Sequence, residues 1–411
     1  MKKLALLCVI APAMIYASSL KEILEFATAK NDIVLSKEMT QESKVLDLES
    51  TQNSYYPTLD VGGTYQSLNE KSRGVAGDIS SVYAKIGLDI YDGGKKSALV
   101  DKNRALLESS KFDTEAYKKS LELSITEDFY TIKSTEATLR AYEEKNLQLV
   151  AELDRIKQFF NVGSATKDEI DKLQAELSNN IYLIDATKFQ IHSLKRLLSV
   201  KIGREINSLD DTLLVNPQGV TKELSDEIKA LKANALSYNY SAENLLAGYK
   251  PQIRLEDTFS VYGYGRGDNS YYYEGVDNQN KLALTFNIKL FDNSVIDKQK
   301  ESLLVQKRAL EQQIQQAKTI QDINVELASA KIQTIIAQIQ SAKSSLESAT
   351  SAYETISEKY KVGVVDNVAY LDALSTKTDA KAQYEAALNN LQIAYANYYY
   401  YTNKNIKDYI K

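Results

Sequence analysis

The chain has 411 residues, of which 50 are Lys or Arg and 55 are Asp or Glu, for a net charge of −5. That length admits more than one core, and the weakly acidic balance excludes the basic surface a nucleic-acid footprint requires. A single cysteine, Cys8, and a single histidine, His192, exclude disulfide frameworks, thiol catalysis and Cys-based zinc sites from the mature chain, and leave no plausible Ser/His/Asp set.

Met1 to Ala17 carries Lys2 and Lys3, an apolar run from Leu4, and small residues around Ala17. This is the pattern of a secretory signal peptide over 1–17, cleaved after Ala17. The run is shorter than the roughly 20 apolar residues of a membrane-spanning helix, and Cys8 lies inside it as filler. Ser19 to Ser54 reads as one helix, with Leu20, Ile23, Leu24, Ala27 and Leu35 on one face. Pro57 then introduces strands. Leu59, Val61 and Tyr65 alternate through Thr58 to Gln66, and Val82, Ala84, Ile86, Leu88 and Ile90 through Ser80 to Tyr91. Apolar residues at every second position share one face of a strand.

From Lys95 to Val162 there is neither Pro nor Gly, the strongest helix punctuators. Ile125, Ile132, Leu139, Asn146, Leu153 and Phe160 are spaced by seven, the signature of a coiled coil. At 1.5 Å per residue the arm is about 100 Å long. Gly163 supplies the positive φ that ends it, and a return helix follows from about Thr166 to Ile202. His192 falls on that amphipathic helix as a surface residue. Pro217 and Gly219 mark a linker.

The pattern then repeats. A helix over Thr221–Gly248 precedes Pro251. Ile253, Leu255, Phe259 and Val261 alternate through Gln252 to Tyr262, and Leu282, Leu284, Phe286, Ile288 and Leu290 through Gln279 to Phe291. A second Pro- and Gly-free arm runs from Phe291 to Val362, with Val325, Ile332, Ile339, Leu346, Tyr353 and Tyr360 spaced by seven. Gly363 and a return helix over Asp366–Tyr401 close the copy. Tyr91-Asp92 recurs 200 residues on as Phe291-Asp292, and Val162-Gly163 recurs 200 residues on as Val362-Gly363. The expected organisation is therefore signal peptide 1–17; a first repeat 18–212, with strands about 58–91 and arms about 95–203; a linker 213–220; and a second repeat 221–411, with strands about 252–291 and arms about 294–401.

Each apolar strand is about the 9–11 residues that cross a membrane, with Val82, Ile86, Leu88, Leu284, Phe286 and Ile288 expected to face lipid. Four strands cannot close a barrel, since the smallest have about eight, and an open edge cannot sit in lipid. Several chains must then share one barrel.

Tyr56-Pro57-Thr58-Leu59, Leu88-Asp89-Ile90-Tyr91-Asp92-Gly93-Gly94, and Tyr360-Lys361-Val362-Gly363 leading to Leu371-Asp372-Ala373, together with the duplication, resemble the outer-membrane efflux protein (TolC) family across the whole mature chain. The resemblance implies a mainly α fold with a β-barrel part. A trimeric transmembrane β-barrel, four strands per chain, would continue into a long α-helical coiled-coil tunnel. It implies a passive exit duct of a tripartite efflux or type I secretion system. The duct is a homotrimer in outer-membrane lipid with a periplasmic extension, in a Gram-negative-type envelope. Its partners are a periplasmic adaptor (membrane fusion) protein and an inner-membrane transporter; it has no nucleic acid, no cofactor, no metal and no catalytic residue.

In this family the tunnel mouth is held by a tyrosine before the second turn glycine, an arginine after it, and acidic residues after the first. The resemblance carries these over to Tyr360, Asp168 and Glu169, with Val365 where the arginine would be. Of two family aspartates lining the constriction, Ala369 replaces one and Asp372 matches the other. No P-loop or HExxH motif occurs, and Gly263, Gly265 and Gly267 read as loop glycines. Tyr271-Tyr272-Tyr273 and Tyr398–Tyr401 receive no role. The alternative reading is a barrel-anchored coiled-coil structural or adhesive protein.

Overall fold

A computed structural model describes residues 19–69, 76–265 and 275–411. The expected signal peptide with Cys8, the Tyr271–Tyr273 cluster and Gly267 lie outside the described residues. In chain order the elements are α1 (Leu20–Lys30), α2 (Asp32–Asn53), β1 (Thr58–Ser67), β2 (Asp78–Tyr91), α3 (Lys95–Asn161), α4 (Lys167–Ile202), α5 (Asp226–Leu246), β3 (Gln252–Gly265), β4 (Asn278–Asn287), α6 (Val295–Lys361) and α7 (Asn367–Tyr401). The uninterrupted arms α3 and α6 each run 67 residues, as the absence of Pro and Gly predicts.

The chain forms two packing units, and each draws on both halves of the sequence. One holds the described residues up to Ser36 with Glu115–Asp226 and Lys318–Lys411; the other holds Lys37–Thr114 and Glu227–Ala317.

In the first unit, two apolar clusters lie along the helices. The larger joins α1 through Leu20, Ile23 and Leu24, α3 through Ile125 and Phe129, α4 through Leu198, and α7 through Tyr395 and Tyr399. Of the first heptad line, Ile125, Ile132 and Leu153 are buried but Phe160 is exposed. A straight helix drifts about 20° per heptad against a strict seven-residue repeat, so a long line leaves the seam. Between the clusters Lys145 is buried, joining α3 to Glu176 of α4 at 2.7 Å and to Ser375 of α7 at 2.8 Å.

The single helix expected over Ser19–Ser54 is two, broken at Asn31. The Asn31 side chain accepts from the backbone N–H of Ile33 at 2.9 Å, capping α2, and donates to the Lys201 carbonyl at the end of α4 at 2.8 Å. An Asn inside an amphipathic run gives no warning of this, because the cap is fixed by a tertiary partner. Helix α5 starts at Asp226, later than the expected Thr221.

The Tyr398–Tyr401 cluster, left without a role by the sequence, is structural. Tyr399 is fully buried, donates to the Val215 carbonyl at 2.8 Å and stacks on Tyr409 at 4.1 Å. The C-terminal residues then bond to the linker, Lys411 N–H to Leu213 and Val215 N–H to Tyr409, both at 2.9 Å. Beside them Glu122 is almost completely buried and accepts from the Ile406 N–H at 2.9 Å, with Lys407 at 3.3 Å. Burial is the larger effect and pushes the Glu122 carboxyl above its ordinary value, against the pull of Lys407.

The second unit contains a single antiparallel sheet in the order β1-β2-β3-β4. The two expected hairpins are thus joined, β2 pairing with β3 from Asp78↔Gly265 to Tyr91↔Ile253 with an irregularity near Ile90. Strand β4 ends at Asn287, opposite Gln252, so Ile288 and Leu290 lie beyond it. Pro251 stops the ladder there because proline has no N–H to donate. Among the described residues, no further strand pairs with the outer edges of β1 and β4.

Candidate functional site

Cross-strand partners lie on the same face of the sheet, so the register sorts the side chains. Leu59↔Ile86, Ile86↔Asp257 and Asp257↔Leu282 form one row of the apolar face. Val82 and Ile86 on β2, and Leu284 and Phe286 on β4, are exposed there, and Leu88 is half-buried. Ile288, expected on the same face, is exposed outside the strand. Asp257 interrupts the face, and its Oδ1 is buried without a hydrogen-bond partner. The polar face carries a chain of charges. Lys96 pairs with Asp89 at 3.0 Å, Asp89 with Arg254 at 2.7 Å, Arg254 with Glu256 at 3.0 Å, and Glu256 with Lys85 at 3.8 Å. These pairs tie the start of α3 to the sheet, beside a cleft of about 430 Å³ lined also by Ser54 and Asn287.

The helices that follow the strands begin alike. Asp92 accepts from the N–H of Gly94 at 2.9 Å and Lys96 at 2.7 Å, and Asp292 from those of Val295 and Ile296 at 3.2 Å. The recurring aspartate is therefore a helix cap. Tyr249 donates to Asp292 at 2.7 Å, and this bond pushes the phenol up to about 12.

At the far end of the long helices are the two glycine turns. Gly163 and Gly363 have φ of +79° and +77° with nothing near a would-be Cβ, so the backbone conformation alone requires glycine. Each closes a Schellman motif. Ser164 N–H reaches Phe159 O at 2.8 Å and Gly163 N–H Phe160 O at 3.0 Å; Val364 N–H reaches Lys359 O at 2.8 Å and Gly363 N–H Tyr360 O at 3.0 Å. The two turns are drawn together by Asn367, which donates to the Glu169 carbonyl at 3.2 Å.

Above the turns a second apolar cluster holds Leu149, Leu153, Ile156, Leu173, Tyr370 and Leu374 around Tyr360. Tyr360 is 6% exposed, stacks on Tyr370 at 4.9 Å, and its hydroxyl is buried near the Glu152 carboxylate. Burial, with the nearby Glu152 carboxylate, pushes its phenol well above the ordinary range. The sequence reading missed the residues that meet it from α3. Arg155 lies 5.0 Å over the Tyr360 ring and 5.1 Å over Phe159, held by Glu152 through bonds of 2.6–3.1 Å. A cation above a ring face is attracted to it. A guanidinium thus lies against Tyr360 from before the first glycine, and the position after the second holds Val365. Arg155 carried no local signal, since its partner Tyr360 is about 200 residues away in sequence. The turn region also contains a cleft of about 730 Å³ lined by Arg155, Glu169, Tyr360 and Asp366.

Of the other predicted mouth residues, Glu169 lines this cleft, and Asp168 and Asp372 are not among its lining residues. Glu169 Oε2 accepts from Thr166 N–H at 2.9 Å and so caps α4. Asp168 is exposed, and its bonds to Thr166 and Lys172 hold its carboxyl below the ordinary range. Asp372 is exposed on α7, away from the face that carries Tyr370 and Leu374.

Residues 221–403 match the family model for outer membrane efflux proteins. No curated protein matches the chain by sequence. Among solved structures it is similar to the outer membrane protein VceC of Vibrio cholerae, with a TM-score of 0.81, 12% identity and coverage of 94% of this chain and 96% of that one. It is also similar to the CmeC outer membrane channel of Campylobacter jejuni (0.81, 15%, 93% and 85%) and to the MtrE outer membrane channel of Neisseria gonorrhoeae in its open state (0.75, 14%, 94% and 89%).

Proposed function

We propose that this chain, whose residues 221–403 match the outer membrane efflux protein model, is a member of that family and the outer-membrane duct of a tripartite efflux or type I secretion system. Three copies share one twelve-stranded barrel, and the helices continue it into the periplasm. The observation that carries this reading is the sheet, which among the described residues has four strands, two edges that no further strand pairs with, and one face of exposed apolar side chains backed by a charged face. Strands built this way satisfy their backbone in lipid only when the edges of several copies pair. The charged face is the wall of the conduit. A periplasmic adaptor and an inner-membrane pump load cargo, and no chemistry is asked of the channel.

The turn cluster is the periplasmic gate. Arg155 and Tyr360 join the two helical hairpins of one chain, and Asp372 forms a threefold carboxylate ring at the constriction, favouring cations. The test is native mass spectrometry of detergent-purified protein followed by planar-bilayer recording. Trimers with cation-preferring conductance support the reading. A monomer, or a trimer that never conducts, refutes it.

A further inference from the structure

Helix α4 buries one face inside its own chain through Leu173, Leu177, Ile184, Ile191 and Leu198. Its opposite face is also apolar. Tyr182, Phe189, Leu197 and Val200 are 70%, 73%, 62% and 80% exposed. With Ala186 and Ser193 between them, they are spaced by threes and fours, which places them in one uncharged seam. The seam has no partner within the described residues.

Helix α6 carries a second such seam. Ile320, Ile323, Leu327, Ala330, Thr334 and Ala337 continue into Ser341, Ser344 and Ser348, every one exposed and none charged. The neighbouring lines of α6 hold Lys331, Lys343 and Glu347. A seam of small residues is a groove, and a seam of Tyr, Phe and Leu is a row of knobs.

The two seams also match in height. The glycine turns lie level, joined by Asn367 and Glu169 and by Leu173 and Leu374 in one cluster. Counted from its own turn, Phe189 stands 26 residues away, as does Ala337. Tyr182 and Ser344 both stand 19 away, and Leu197 stands 34 away against 33 for Ala330. A large side chain meets a small one at each of these levels, as interdigitating packing requires.

We propose that the α4 seam of one copy packs antiparallel against the α6 seam of the next, forming the contact that closes the helical ring. The proposal rests on the trimer reading and adds its surface and register. Rotation about an axis along the helices leaves heights unchanged, so the match within one chain carries to a neighbouring copy. The occupant is a second copy because both halves of the complementary pair are present in this sequence and exposed on it.

Disulfide trapping decides the register, on a background whose only cysteine, Cys8, falls in the expected signal peptide. Two differently tagged chains are co-expressed, one with Phe189→Cys and one with Ala337→Cys, alongside a Tyr182→Cys and Ser344→Cys pair. Both pairs should link between chains. Phe189→Cys with Ser344→Cys, about 10 Å out of register, should not, because a disulfide tolerates Cα separations only up to about 7 Å. A size swap gives a second readout. Ala337→Phe should lower trimer yield about thirtyfold, the middle of the range for overpacking one contact, and Phe189→Ala should restore it. Trimers by native mass spectrometry in which neither register pair links, or in which the offset pair links instead, overturn the seam and leave the trimer standing. Monomers throughout overturn both.

Discussion

Replacing Arg155 by Met isolates what the gate cluster contributes. The substitution removes two interactions of different reach. The bonds to Glu152 lie within α3 and survive any movement of one hairpin against the other, so they do not favour the closed mouth. The contact with the Tyr360 ring at 5.0 Å joins α3 to α6 and is lost if the hairpins part. A cation–π contact at a partly exposed site is worth about 0.5–1 kcal/mol. Three copies opening in concert give about 1.5–3 kcal/mol, or roughly a 10- to 100-fold rise in the ratio of open to closed channels. Met preserves most of the packing of the aliphatic stem. Single-channel open probability in planar bilayers measures the effect directly. Tyr360→Phe is the discriminating companion: it keeps the ring that Arg155 lies over, so open probability should stay close to the wild-type level. Wild-type gating in Arg155→Met, or a marked opening in Tyr360→Phe, would refute the assignment of the closing contact to the guanidinium and the ring.

On the sheet, Phe286→Arg should sharply reduce assembled trimer, at a cost of about 2–4 kcal/mol near the bilayer midplane, while Thr285→Arg on the other face leaves assembly intact and alters conductance; equal losses by trimer electrophoresis would mean the faces are inverted. Asp372→Asn should lower cation selectivity and weaken block by trivalent cations with trimer yield unchanged, measured as reversal potential in a salt gradient, and Asp185→Asn should match wild type. Burial raises the Glu122 carboxyl above its ordinary 4.5, so its contribution to stability is full below about pH 4.5 and is lost as pH rises through the folded value. Melting curves of wild type and Glu122→Gln across that window should therefore diverge, the wild type losing ground to the variant as pH rises; parallel curves would remove Glu122 as the cause.

Much of the fold is legible in the sequence because its signals are local and periodic. The absence of Pro and Gly sets α3 and α6 to within about four residues, positive-φ glycines set the turns, and period-two alternation sets the strands and their apolar faces, except that it runs past the end of β4. None of these requires knowledge of a distant partner. The tertiary structure alone decides whatever depends on residues far apart in the chain. Asn31 breaks a helix because Lys201 offers a carbonyl; β4 stops at Asn287 because Pro251 precedes its partner Gln252 and has no N–H to extend the ladder; the two hairpins become one sheet through β2 and β3. The mouth shows the same division. The family resemblance picked out Tyr360, but Arg155 and Glu152 reach it from another helix, and Glu169 is occupied in capping α4. Side chains on one helix face are set by a period of 3.6 residues, which a sequence displays. Which face meets which is set by packing between segments, which it does not.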